Sequence, residues 1–199
     1  MPLVSLPLPD ADVLLDEAFL TPVAAEALLR ELTDTIAWRH EPIKLFGKEV
    51  LQPRLTAWHG DPTARYRYSG LALEPQPWTP ALRHLRQQLE AASGARFNSV
   101  LLNLYRSGQD SMGWHADNEP ELGPAPVIAS LSLGSTRRFR LRPRNLARTP
   151  HAPVSLDLPG GSLLLMRGAT QQHWLHAVPK TARFAGPRLN LTFRQIVGV

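Results

Sequence analysis

The chain has 199 residues, enough for one domain with a real core, and 43% of them are apolar. It contains no cysteine, which excludes disulfides, thiolate metal sites and cysteine nucleophiles and is compatible with a reducing compartment. The net charge of +5 attracts polyanions, nucleic acid foremost. The N-terminal stretch carries prolines and aspartates and no basic leader, and no apolar run is long enough to span a bilayer, so the expectation is an intracellular, cytoplasmic monomer with no membrane partner.

In chain order, the first predicted element is a helix over residues 21–38, with Thr21 as cap, Pro22 in the first turn and an Ala/Leu/Glu-rich interior. Residues 40–54 read as an irregular or hairpin segment. A second helix covers residues 79–93, opened by another Thr-Pro pair and stopped at Gly94. Its Leu82, Leu85 and Leu89 share one face and should pack on a sheet. Beyond Gly94 the pattern changes to short apolar or alternating segments at 97–105, 126–133, 137–142, 153–158, 161–166, 173–178 and 188–197. These predict an antiparallel β-sandwich or barrel with the helices on one face, a mainly β, α+β fold. Residues 143–153 form a proline-rich, arginine-bearing connection.

Two groups of polar residues carry chemistry. His115-Ala-Asp117 puts an imidazole and a carboxylate two residues apart, on one side of a strand or of its end. With an imidazole from a distant strand they would form a facial triad, which suits ferrous iron, O2 and a chelating cosubstrate. The third imidazole is His176 or His173. Three residues apart on an extended strand, the two point to opposite faces, and spacing alone does not choose. Near the C-terminus Arg188, Asn190, Thr192 and Arg194 alternate with Leu189, Leu191 and Phe193. Two arginines, an amide and a hydroxyl on one face of a strand can hold a small dicarboxylate, because guanidinium grips carboxylate through two bonds. Asn103 and Tyr105 again place two polar groups on one face. Arg137, Arg138, Arg140, Arg142, Arg144 and Arg148 form a basic stretch able to follow phosphates.

Several tracts, taken jointly and in order over about residues 20–197, resemble the AlkB family of oxidative nucleic-acid dealkylases, in particular the branch of the second and third animal homologues. They are Gln52-Pro-Arg54-Leu-Thr-Ala-Trp58-x-Gly60, Tyr66-x-Tyr68-Ser69, Phe97-Asn98 through Asn103-Leu-Tyr105, and Trp114-His115-x-Asp117-x-Glu119. Ile128-Ala-Ser-Leu-Ser-x-Gly134, Gly161-Ser-Leu-Leu, His173-Trp-x-His176 and Pro187-Arg188-x-Asn190-Leu-Thr-Phe-Arg194 follow. The resemblance implies a double-stranded β-helix (jelly-roll) core in residues 96–199, preceded by helices and a nucleotide-recognition segment in 21–95 and an extension over 1–20. It selects His176 as the third iron ligand and assigns Asn103, Tyr105, Arg188, Thr192 and Arg194 to 2-oxoglutarate. It implies Fe(II), 2-oxoglutarate and O2 as requirements, with alkylated DNA, single- or double-stranded, or RNA as partner. The implied reaction hydroxylates the alkyl carbon on a base nitrogen, as in 1-methyladenine or 3-methylcytosine, and releases an aldehyde and the restored base.

On the substrate side, the resemblance places Tyr66 and Tyr68 against a flipped base and counts Ser69 and Arg54 among the substrate-binding residues. Asn118 and Glu119 fit base reading. Asn118 stands where related dealkylases often have Asp, which removes a negative charge beside a cationic base. Phe46 and Gly47, in Leu-Phe-Gly-Lys, resemble the intercalating finger of double-strand-acting relatives. Gln52–Trp58 and the Gly168–Gln171 tract look more like single-strand-acting ones. Two other readings remain: the same iron chemistry on RNA modification or a protein, and a catalytically silent nucleic-acid-binding module.

Overall fold

A computed structural model of the chain describes residues 2–45, 48–64, 66–68, 71–183 and 186–197; within these, 43–45, 48, 66–68 and 71–73 are described by backbone alone. The N-terminal third opens with strands β1 (Val4–Leu6) and β2 (Asp12–Asp16), helix α1 (Pro22–Thr35), then β3 (Pro42–Leu45), β4 (Lys48–Leu51), β5 (Leu55–Gly60), β6 (Tyr66–Tyr68) and β7 (Leu71–Leu73). Helix α2 (Pro80–Ser93) leads into β8 (Ser99–Tyr105), β9 (Met112–His115), β10 (Ile128–Gly134), β11 (Arg137–Pro143), β12 (Val154–Leu158) and β13 (Leu163–Arg167). A short helix α3 (Thr170–His173), β14 (Trp174–Val178) and β15 (Arg188–Arg194) complete the chain.

Eleven of these strands make two sheets. The major sheet has the order β1-β2-β13-β10-β15-β8-β5 and the minor sheet β12-β11-β14-β9. Every pairing within them is antiparallel. The two separate hairpins, β3-β4 and β6-β7, precede the core. The major and minor sheets make the predicted jelly-roll, and β1, β2 and β5, which precede residue 96, also belong to the major sheet. Residues 1–20, expected as an extension, do more than precede the domain, since β1 and β2 extend the major sheet through β13.

Period-two alternation decides which side chains meet which layer. On the major sheet Val100, Leu102, Leu104, Ala129, Leu131, Leu133, Leu163, Leu165, Leu189, Leu191 and Phe193 face outward and are buried under α1 and α2. Leu32 of α1 and Leu82, Leu85 and Leu89 of α2 cover them, as the spacing in the sequence predicts. The opposite face meets the minor sheet, where Leu164 and Met166 join Phe139, Leu141, Leu158 and Val178 in a second core. The polar members of β8, β10 and β15 therefore point between the sheets.

Both long helices begin as expected. The Thr21 hydroxyl accepts from the Ala24 N–H at 3.3 Å, and the Thr79 hydroxyl accepts from the Leu82 N–H at 3.2 Å. α2 stops at Gly94, whose φ of 69° suits glycine. α1 stops at Thr35 and not at residue 38. Its last turn is the poor helix former Thr-Asp-Thr, Ile36 is extended, and the Trp38 indole donates to the Thr33 carbonyl, one of the terminal acceptors the helix leaves open. The strand predicted over 173–178 begins at Trp174, because residues 170–173 form α3. His173 thus closes a helical turn and does not share a strand with His176.

Candidate active site

The site lies between the sheets, and the minor sheet delivers two of its three candidate metal ligands. His115 ends β9 and His176 lies directly opposite on β14. Their rings are 4.2 Å apart between centroids. Asp117 follows two residues after His115, with its N–H held by the Gln171 side-chain oxygen at 2.9 Å. One ligand atom from each of the three lies within 4.8 Å of the others, so the group could hold a metal ion. His115 Nδ1 is 2.9 Å from the Gly113 carbonyl, which as an acceptor fixes the proton there and leaves Nε2 with a lone pair. His173 lies apart from this group, near the Thr149 hydroxyl at 3.4 Å.

The electrostatics match ligation. Burial first, then the neighbouring His115, push the His176 imidazole down to about 3 despite the opposing pull of Asp117. It is therefore neutral, as a ligand must be. Burial alone would raise the Asp117 carboxyl, but Arg194 foremost, with the two imidazoles, holds it below the usual carboxylate range. The Arg194 guanidinium donates to Asp117 Oδ1 at 2.6 Å. His176 also stacks on Phe139, at 5.3 Å between centroids, a contact that the sequence does not announce.

The major sheet supplies the other wall. Asn103, Tyr105, Asn190, Thr192 and Arg194 line the same cavity as His115, Asp117 and His176. Arg188, on the same strand face and 1% exposed, donates one bond to the Ser132 hydroxyl at 3.0 Å. Among the described residues its Nε and Nη1 are buried without a hydrogen-bond partner, and so is Nε of Arg194, although the Tyr105 ring lies alongside the Arg188 guanidinium at 5.2 Å. Among the described residues no carboxylate pairs with Arg188. A buried guanidinium with idle donors and no counter-charge is costly unless an anion completes it, and a dicarboxylate would. The donor set thus fits both ferrous iron and 2-oxoglutarate.

Asn190 is differently placed from its neighbours. Its amide donates to the Ser130 hydroxyl at 2.8 Å and to the Leu131 carbonyl at 3.1 Å, while its oxygen accepts from Thr192 at 3.2 Å. It braces the cavity wall and has few bonds left for a ligand. Ser130 and Ser132, which hold Asn190 and Arg188, stood in the Ile128–Gly134 tract of the sequence without an assigned role. Their alternation with Leu131 and Leu133 was the available signal. Gln171 had only its place in the Gly168–Gln171 tract.

On the substrate side the outcome is mixed. Asn118 is exposed beside Asp117, and Glu119 is half-buried with its Oε2 buried and unpartnered among the described residues. Arg54 is only 7% exposed and turns inward onto Asn103, away from the surface. Tyr66 and Tyr68 lie on β6, described by backbone alone, while Phe46, Gly47 and Ser69 lie outside the described residues. Of the basic stretch, Arg137 faces inward, buried, and donates to the carbonyls of Ser107, Asp110 and Pro179. It is a staple between loops and cannot follow a phosphate.

Residues 12–194 match the 2OG-Fe(II) oxygenase superfamily. The chain is 42% identical to alpha-ketoglutarate-dependent dioxygenase alkB homolog 3 of Homo sapiens, over 92% of this chain and 66% of that protein. It is 39% identical to DNA oxidative demethylase ALKBH2 of Mus musculus, over 87% of this chain and 75% of that protein. It spans just under two thirds of the length of the alkB homolog 3 proteins it matches, 66% in human and 62% in Bos taurus. A solved structure of OsALKBH1 shares the fold, with a TM-score of 0.65 at 18% identity and coverage of 98% of this chain and 100% of that one. The match along residues 12–194, together with relatives of this identity and coverage, shows that the chain belongs to the 2OG-Fe(II) oxygenase superfamily and, within it, to the AlkB family.

Proposed function

We propose that the chain removes alkyl groups oxidatively from the base nitrogens of nucleic acid, using Fe(II), 2-oxoglutarate and O2, with 1-methyladenine and 3-methylcytosine as the type of substrate. The observation that carries this reading is a single cavity in which the candidate triad His115, Asp117 and His176 adjoins arginines with idle buried donors. The relatives it resembles, a dioxygenase and a DNA oxidative demethylase by name, point the same way. When bound, iron and 2-oxoglutarate supply the oxidising power that turns O2 into a hydroxyl group on the N-alkyl carbon, after which the aldehyde leaves and the base is restored.

The chain's own residues have separable tasks. His115, Asp117 and His176 would hold the iron. Arg194 lies against Asp117 and would serve the carboxylate nearer the metal, whereas Arg188, bonded to Ser132, would serve the far one. Asn103, Tyr105 and Thr192 would bound the cosubstrate between them. Glu119, two residues beyond Asp117 and with a buried oxygen that has no partner among the described residues, would accept from an exocyclic amino group or offset the charge of an alkylated, cationic base.

The test supplies Fe(II) and 2-oxoglutarate with oligonucleotides carrying 1-methyladenine or 3-methylcytosine, as single-stranded DNA, duplex DNA and RNA. Succinate, formaldehyde and restored base are expected together, and the three arms rank the nucleic acids. Succinate formation with no base restored in any arm would move the substrate to another class. The absence of metal-dependent succinate would leave a binding module.

A further inference from the structure

Arg54 follows β4 by three residues and enters the core immediately before β5. Its Nε donates to Oδ1 of Asn103 at 2.7 Å, and Nη1 makes a long contact of 3.4 Å to the Ser111 carbonyl. Asn103 is buried in the middle of β8 and lines the cavity beside the candidate triad. An amide has an accepting end and a donating end of nearly the same shape, and a side chain in a polar cavity can present either. A guanidinium has donors only, so it can hold only the oxygen end. The Asn103 Nδ2, with no hydrogen-bond partner among the described residues, is then the end left for the cavity. That is the correct end for a carboxylate or keto oxygen. The opposite setting would put oxygen against oxygen.

We infer that Arg54 is a positioning residue that fixes the Asn103 amide with its N–H groups toward 2-oxoglutarate, so that cosubstrate affinity depends on a residue reached directly from the β3-β4 hairpin. The inference rests on the cosubstrate reading above and gives Arg54 a task other than contact with the base. It concerns binding, which is measurable without any turnover.

The experiment measures 2-oxoglutarate binding by calorimetry to the protein loaded with Mn(II) in place of Fe(II). Arg54→Met removes the donors and keeps the stem. Its Kd for 2-oxoglutarate should rise about tenfold, the scale of one lost bond to a charged group or one misdirected amide. Arg54→Lys, which retains a donor, should recover most of the loss. In Asn103→Ala the amide is gone, so adding Arg54→Met should weaken binding no further. Affinity for a single-stranded oligonucleotide should stay the same throughout. Should Arg54→Met fail to fold, Arg54→Gln takes its place, because a group that both donates and accepts no longer fixes the amide. Unchanged 2-oxoglutarate affinity in the folded variant, or losses that add in the double variant, would overturn the inference. Weakened oligonucleotide binding with normal 2-oxoglutarate binding would return Arg54 to the substrate. A wild-type protein that does not bind 2-oxoglutarate would instead refute the cosubstrate reading and the inference with it.

Discussion

The choice between two histidines three residues apart shows what a single side chain's setting decides. His176 faces His115 across two strands, whereas His173 ends α3 near Thr149. Replacing His115, Asp117 or His176 by Ala is expected to abolish iron retention and lower turnover by at least about a hundredfold, since each removes one of three candidate ligands. His173→Ala should keep both, and metal analysis with a succinate assay checks the set. Loss of iron in His173→Ala with retention in His176→Ala would reverse the assignment. The same burial makes the metal-free protein sensitive to acid. In the unfolded chain the imidazole of His176 takes up its proton near its ordinary value of about 6.5, while in the fold burial pushes it down to about 3. The unfolded state binds more protons between those values, so this contribution is complete above the upper value and is lost as pH falls toward the lower. Asp117, held below the carboxylate range, acts in the same direction. The melting temperature of the metal-free protein should therefore drop from pH 7 to pH 4, and more steeply than in His176→Gln. Equal slopes would remove His176 from the account.

Single elements show the same division of labour in β15. Its even members point between the sheets, where Asn190, Thr192 and Arg194 line the cavity beside the candidate triad, and its odd members build the core under the helices. Phe193 is fully buried, stacked on Trp78 at 6.1 Å and edge-on to Phe97 at the same separation. Phe193→Ala should cost about 3–5 kcal/mol in chemical denaturation, as large aromatic deletions from a core do. If it costs under about 1 kcal/mol, the helices are not seated as described. This two-sided strand was legible because its period of two is unbroken over seven residues, and the helix starts were legible because Thr-Pro caps act locally. Other elements were not. β1 and β2 are short strands at one end of the sheet, β1 paired with β2 and β2 with β13 some 150 residues later, and nothing local marks them. α3 is one turn, too short for periodicity, and it misled the reading of His173. Arg54 was expected among the substrate-binding residues and Arg137 in a stretch following phosphates, because sequence reports charge and not burial. Both are desolvated and donate into the interior.

The molecule as a whole carries +5, and the fold sets three of its arginines on the outer side of β11. Along β11, Phe139 and Leu141 face the core, so Arg138, Arg140 and Arg142 face away from it. Arg138 is paired with Asp157 at 3.2 Å. Among the described residues Arg140 and Arg142 have no carboxylate partner. Their guanidinium carbons lie 5.6 Å and 4.4 Å from the centre of the Trp114 ring, and Trp114 immediately precedes His115. Cations kept over an aromatic ring beside a metal site would guide a polyanion toward that site. Each phosphate neutralised on a single strand releases counterions and adds about 0.7 to the slope of log affinity against log salt. Arg140→Ala and Arg142→Ala are accordingly expected each to lower that slope by up to about 0.7 and to weaken binding alike across base sequences, with 2-oxoglutarate affinity unaltered. Arg138→Ala, whose charge is already matched by Asp157, should change the slope less. A slope identical to wild type in both Arg140→Ala and Arg142→Ala would reduce this face to a cover for Trp114. Any positive charge that draws in nucleic acid would then have to be sought elsewhere, in Arg144 and Arg148 of the exposed connection between β11 and β12.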